Sequence, residues 1–249
     1  MIDARTGISS HGDALFSEEH PLTIYTFPYA GGNALSYHQW PFPSAIRWVN
    51  LDYPGHGLRR KEALLPSLDA LARDAASRIL NSQEENPTAV ALFGHSMGGI
   101  CAWRTAQLLQ KELPVIHLFV SACPAPDIFP PPGQPIETDA DTLAFLDHFH
   151  QLPPKVLNNP RFRAHGLPAI THDIRLSNAW VCPDWQPLAC PISAFAGNRD
   201  TLAPRSAMER WNSFTGGVFT FRTFDGAHFY FENPQSLTAL TAAICNDLI

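Results

Sequence analysis

The sequence is poor in charge. Lysine, arginine, aspartate and glutamate make up 16% of its 249 residues, while 45% are apolar; roughly 25% charged residues is ordinary for a folded domain. That balance excludes a disordered or highly charged chain. Basic residues are also outnumbered: 17 lysines and arginines face 23 aspartates and glutamates, for a net charge of −6. Nucleic-acid binders usually show the opposite balance, so no nucleic acid is expected as partner. Cysteine is sparse. Its five residues (Cys101, Cys123, Cys182, Cys190 and Cys245) are scattered and form no CxxC pair, which excludes a disulfide framework and the common zinc and redox spacings. Pairing of Cys182 with Cys190 is the one disulfide left open. No apolar run approaches the roughly 18 residues of a membrane span. Met1–His20 lacks the basic start and apolar stretch of a secretory signal. The expectation is a reduced, cytoplasmic, soluble monomer that does not meet a membrane.

Proline, by contrast, is abundant at 23 residues. Between its turns, short β-rich runs alternate with helical patterns. Leu22–Phe27, Ile46–Leu51, Ala89–Phe93, Val115–Val120, Pro191–Ala196 and Val218–Phe224 read as strands, several of them near-continuous apolar runs of the kind buried on both faces. Leu68, Leu71, Ala72, Ala75, Ile79 and Leu80 keep helical spacing behind Ser67, a good N-cap residue. Ile100–Leu109, Pro204–Phe214 and Pro234–Leu248 read as further helices. This alternation predicts an α/β fold, a mostly parallel sheet with helices on both faces. The rhythm breaks between Ser121 and Pro191, where a proline-rich stretch precedes two helical patterns, Asp141–Phe149 and Ala169–Ala179. A structureless loop of that length does not suit a compact domain. The reading is one domain, 1–249, with a helical lid inserted at 124–187.

Strand Ala89–Phe93 runs into Gly94-His95-Ser96-Met97-Gly98-Gly99 and then a helix. This is G-x-S-x-G in the strand–turn–helix setting that exposes a nucleophilic serine above a sheet. Side chains at positions 94 and 98 would collide with the neighbouring strand and helix, hence the glycines. A serine needs a base, and in this motif's setting the chain order is Ser, acid, His. His228 follows the last strand and is the only histidine beyond His172. Asp200 follows strand Pro191–Ala196 in Gly197-Asn198-Arg199-Asp200; Asp225 is the runner-up acid. Strand C-terminal ends are where such sheets collect their sites. The tetrahedral oxyanion needs two backbone N–H donors. One is assigned to Met97, directly after the serine. The other is placed in the glycine-rich loop Phe27-Pro28-Tyr29-Ala30-Gly31-Gly32. No metal is expected, since His148, His150 and His165 lack a fixed ligand spacing.

PYAGG after the first strand, GHSMGG at the turn, GNRD, GAHF, SACPAP (Ser121–Pro126) and LPAITHD (Leu167–Asp173) together resemble the type II thioesterases of polyketide and nonribosomal peptide synthesis. These are stand-alone α/β-hydrolases. The resemblance runs from Leu22 to Ile249. It departs at Pro54-Gly55-His56-Gly57, where a PGR-type segment is usual, and at Thr171-His172, where an arginine is common. The resemblance implies that Ala30 is the second oxyanion donor. It also implies that the substrate is an acyl group on the phosphopantetheine arm of a carrier protein, cleaved without a cofactor to clear misprimed or stalled carriers. For docking an acidic carrier, the basic residues available are Arg59, Arg60 and Lys61, or Lys155, Arg161 and Arg163 on the lid. Phe145, Phe149, Phe162 and Trp180 are expected in the lid core, with Phe145, Phe149 and Trp180 as candidates to line an acyl channel. Two other readings stay open: a small-molecule esterase or lipase on the same fold, and a catalytically silent α/β-hydrolase that serves as an interaction protein.

Overall fold

The computed structural model describes residues 22–131, 136, 138–148 and 154–248. Six strands, β1 (Leu22–Phe27), β2 (Ile46–Asn50), β3 (Ala89–His95), β4 (Val115–Ser121), β5 (Ile192–Gly197) and β6 (Phe219–Phe224), form one sheet in the order β2-β1-β3-β4-β5-β6. Every pairing is parallel. Parallel neighbours need crossover connections; a short 3-10 turn, Ala34–Tyr37, lies between β1 and β2, and helices lie in the other connections. Val90, Ala91, Leu92 and Phe93 of β3 are all fully buried although successive side chains point to opposite faces. The sheet is therefore covered on both sides there, which is why these strands read as continuous apolar runs. β2 and β6 lie at the edges and are only half-buried.

Helix α1 (Leu68–Glu85) starts where predicted: the Ser67 side chain accepts the Ala70 N–H. Helix α2 (Met97–Leu109) begins three residues before the periodic apolar pattern does, because the turn at Ser96 leads straight into it. The two pack together through a Thr105–Ala72 hydrogen bond and an Arg104–Asp69 ion pair. The predicted helix at Pro204–Phe214 divides instead into α6 (Arg205–Glu209) and a 3-10 segment, Arg210–Phe214. Three residues per turn put Trp211 and Phe214 on one side, where both are buried and Trp211 Nε1 donates to the Cys123 carbonyl at 2.7 Å. Helix α7 (Pro234–Asn246) closes the described fold. The five cysteines are free thiols, so the Cys182–Cys190 pairing is not formed.

Between β4 and β5 lie α3 (Asp139–His148), α4 (Pro154–Leu157) and α5 (Leu167–Asn178), with a π-helical turn at Phe162–Gly166 running into α5. Ile136, Leu146, Leu157, Leu167, Ile170 and Ile174 make a small apolar cluster of their own, separate from the main core, with Phe145 and Phe162 packed against it. Inside it, Thr142 and Thr171 hydroxyls pair at 2.8 Å.

Candidate active site

In this sheet the chain leaves β1 toward one edge and returns as β3 toward the other, a switch point of the kind that opens a crevice at the strand C-termini. The serine turn follows β3 and the PYAGG loop follows β1, so the two meet there. A Cβ on Gly98 would lie 2.2 Å from the Phe27 carbonyl oxygen, and one on Gly94 would lie 2.1 Å from the Gly98 oxygen. Both glycines are thus required by close backbone approach.

Ser96 adopts φ 53°, ψ −128°, one of two described non-glycine residues at positive φ. Its N–H is tied to the Ser121 carbonyl at the end of β4 (2.8 Å), and its own carbonyl accepts the Gly99 N–H. Met97 is the first residue of α2, so its N–H has no acceptor inside the helix. The Ala30 N–H likewise has no acceptor among the described residues. A donor left without an intrahelical acceptor at a helix N-terminus, directly after Ser96, suits a developing negative charge.

Asp200 and His228 are brought together from the ends of β5 and β6. His228 Nδ1 lies 2.9 Å from Asp200 Oδ2, with both residues buried. The other carboxylate oxygen accepts the N–H groups of Leu202 (2.9 Å) and Ala203 (3.1 Å). The carboxylate is thereby fixed in place, and the imidazole is left with Nε2 for proton transfer. Asp225 is turned away: it pairs with Arg199 at the surface. Ser96 Oγ makes no hydrogen bond among the described residues; unliganded sites often form the nucleophile–base contact only with substrate.

His95 stays beneath the turn. Its Nδ1 meets Ser121 Oγ at 2.9 Å, and that hydroxyl meets the Tyr230 phenol at 2.8 Å. Burial first, and the neighbouring His228 second, push its pKa well below the ordinary imidazole value, so it is neutral. Its ring lies 5.0 Å from that of His228 and 5.9 Å from Tyr29, and Phe229 packs on both Tyr29 and His95. One aromatic cluster thus joins the serine turn, the PYAGG loop and the histidine loop.

The thioesterase-domain family model matches residues 22–247. The chain belongs to the thioesterase family. Thioesterase TesA of Mycobacterium marinum is 34% identical over 211 residues, covering 84% of this chain and 84% of its own length. The structure is similar to RedJ, the thioesterase of the prodiginine pathway in Streptomyces coelicolor, with TM-score 0.83 and 27% identity over 92% of this chain and 86% of that one. It is similar also to BorB, the type II thioesterase of the borrelidin biosynthetic cluster, with TM-score 0.80 and 29% identity over 95% and 96%. The protein is a thioester hydrolase on an α/β-hydrolase fold.

The more peripheral residues of this thioesterase are placed less as expected. Arg59 is not free for docking: Asp74 and Glu62 both pair with its guanidinium, which also donates to the Asp52 carbonyl. Arg60 and Lys61 remain exposed beside Leu58, which is 87% exposed. Lys155, Arg161 and Arg163 are exposed on the insertion, although Arg163 donates to the Leu157 carbonyl. Phe145 is half-buried on the lid cluster. Trp180 is not part of that cluster. It packs on the main core, edge-on to Trp103, and its Nε1 donates to the Pro126 carbonyl at 3.0 Å, so it is a joint at the end of the insertion. Phe149 and His150 lie outside the described residues, as do the side chains of His148 and His165.

Two residues that sequence reasoning left without a role also reach the site. His56 of the PGHG turn and Asp173 of α5 are both buried and lie 2.9 Å apart. The departures of this sequence at PGHG and THD were the only signal pointing to them.

Proposed function

We propose that this thioesterase hydrolyses acyl groups from the phosphopantetheine arms of carrier proteins, clearing misprimed or stalled chains. Ser96 attacks the thioester carbonyl as His228 takes its proton. Asp200 holds the imidazole through Nδ1 and stabilises the imidazolium. The N–H groups of Met97 and Ala30 receive the oxyanion. The carrier thiol leaves with the proton from His228; water, activated by the same imidazole, then cleaves the acyl-serine and frees the acid. The chain's own residues supply base and electrophile, so no cofactor enters.

The observation that carries the reading is the buried Asp200–His228 hydrogen bond at the ends of β5 and β6, with the His228 ring packed on His95 next to a serine held at positive φ. The prodiginine pathway of RedJ and the borrelidin cluster of BorB support the choice of carrier-bound substrates. The test is a hydrolysis panel with one acyl group on a carrier protein, on pantetheine and on a simple alcohol. Highest kcat/KM on the carrier is expected. A simple ester that outpaces both thioesters returns the enzyme to the esterase class, and failure of Ser96 to react with a fluorophosphonate leaves only an interaction protein.

A further inference from the structure

Helix α5 sits directly on the PYAGG loop. Ala30 packs against both the main core and the lid cluster. A Cβ on Gly31 would lie 2.0 Å from Cγ1 of Ile170, on α5. Gly31 itself has φ +73°, and the Gly32 N–H closes the turn onto the Tyr29 carbonyl at 2.8 Å. The Asp173 side chain also reaches from α5 into this turn, and its Oδ2 accepts the Gly31 N–H at 2.7 Å. The same oxygen lies 2.9 Å from His56 Nε2. His56 Nδ1 lies 3.1 Å from the Pro54 carbonyl, to which it donates. Next to Asp173, His172 Nε2 meets the Leu65 carbonyl at 2.8 Å. Thus α5, the PYAGG loop and the PGHG turn converge on a single carboxylate that is 1% exposed.

We propose that Asp173 is a positioning residue for thioester cleavage: it fixes the turn that presents the Ala30 N–H, with His56 as its buried counter-charge, so that the oxyanion donor is set only when α5 is seated. The proposal rests on Ala30 being an oxyanion donor. A carboxylate this deeply buried needs a compensating positive group, and Gly31 offers only a dipole. His56 donates from Nδ1 to a carbonyl, so its Nε2 carries a proton toward Asp173 only when the ring is protonated; Nε2 faces the carboxylate as a charge contact rather than an aligned hydrogen bond. Burial lowers the pKa of His56, but the Asp173 carboxylate outweighs this, aided by the Pro54 carbonyl and Asp52, and the net shift is upward. The other groups around the pair are Tyr53, edge-on to His56, and Cys101 of α2, whose thiol burial pushes up to about 12 and keeps neutral. Arg59 and Arg78 face the Asp52 carbonyl. Because the folded-state pKa of His56 is raised, the ion pair is complete below the ordinary imidazole value and is lost as pH rises through the folded value. The clasp therefore loosens on the alkaline side.

The test uses a short acyl-pantetheine, which needs neither carrier docking nor a long acyl channel. Asp173→Ala is expected to lower kcat about 10- to 100-fold with KM changed less than about threefold, a fraction of the effect of deleting an oxyanion donor. Asp173→Asn keeps an oxygen for the Gly31 N–H and removes the charge; it is expected to restore most of kcat at neutral pH. The parent enzyme should lose kcat on the alkaline side, and both His56→Gln and Asp173→Asn should lack that limb, which keeps the proposal testable if Asp173→Ala does not fold. Full kcat in a folded Asp173→Ala overturns the proposal, as does equal impairment of the Ala and Asn variants or an unchanged alkaline limb in His56→Gln. Gly31→Ala, which displaces the turn, separates the two levels. If it lowers kcat while Asp173→Ala does not, the loop reading stands and the role of Asp173 falls. If neither variant alters kcat, the assignment of Ala30 fails as well.

Discussion

Ser96 holds a backbone conformation that costs a non-glycine residue on the order of 1–3 kcal/mol. Hydrogen bonds to Ser121 and Gly99 hold it there, and the conformation lifts the hydroxyl off the sheet. Ser96→Ala and His228→Ala are each expected to reduce kcat by about 10⁴-fold or more, and the double variant should be little worse than either, because the residues act as a unit. Asp200→Asn should cost roughly 10⁴-fold by favouring the wrong imidazole tautomer, whereas Asp225→Asn should cost almost nothing. Steady-state kinetics on an activated thioester decide this, and near-normal turnover in Asp200→Asn would remove it from the site. These residues were legible because each follows a strand that its own apolar run announces. His56 and Asp173 were not: they belong to two loops far apart in sequence, and no spacing rule connects a histidine in a turn to an aspartate on a helix. Arg59 misled for a related reason, since its cluster looks free until Asp74 of α1 is folded against it.

At the scale of elements, the parallel order was implied by the βα alternation, and the switch point between β1 and β3 follows from it. Less legible were the places where helices change winding. The 3-10 turn at Arg210–Phe214 and the π-turn at Phe162–Gly166 depend on which aromatic side chains find room, Trp211 against Cys123 in the first case. The joint that matters most is between β1 and the start of α2, where Gly98 rests on the Phe27 and Pro28 carbonyls. Gly98→Ala should force the serine turn and the PYAGG loop apart. An overpacking cost of about 1–3 kcal/mol corresponds to a Tm lower by several degrees in a chain of this size. Turnover should fall further than that loss of stability explains, since Ser96 and Ala30 sit on opposite sides of the joint. Calorimetry with parallel kinetics checks both, and a variant with parental Tm and kcat would mean that the two loops do not have to meet this closely.

For the whole molecule, net charge opposes the partner proposed. At −6 the enzyme repels an acidic carrier at long range, so attraction has to come from a local patch. With Arg59 held by Asp74 and Glu62, the cations left on that loop are Arg60 and Lys61, exposed beside the apolar Leu58. This loop is tied to the segment after the PYAGG turn through Asp52, whose carboxylate accepts the N–H groups of Ala34 (2.7 Å) and Leu58 (2.9 Å). A carrier seated on Arg60 and Lys61 would thus stand beside the segment that follows the PYAGG turn. Charge pairs at an interface rim act mainly on the association rate and weaken with salt, as the Debye length shortens from about 10 Å at 0.1 M to about 3 Å at 1 M. The expected result is that kcat/KM for the acyl-carrier exceeds that for the acyl-pantetheine at low salt and converges on it at high salt. Arg60→Glu combined with Lys61→Glu should lower the carrier value several-fold and leave the pantetheine value and Tm unchanged. Should the same loss follow instead from reversing Lys155 and Arg161, the carrier docks on the lid; should neither reversal matter and the salt dependence be flat, recognition rests on the phosphopantetheine arm alone.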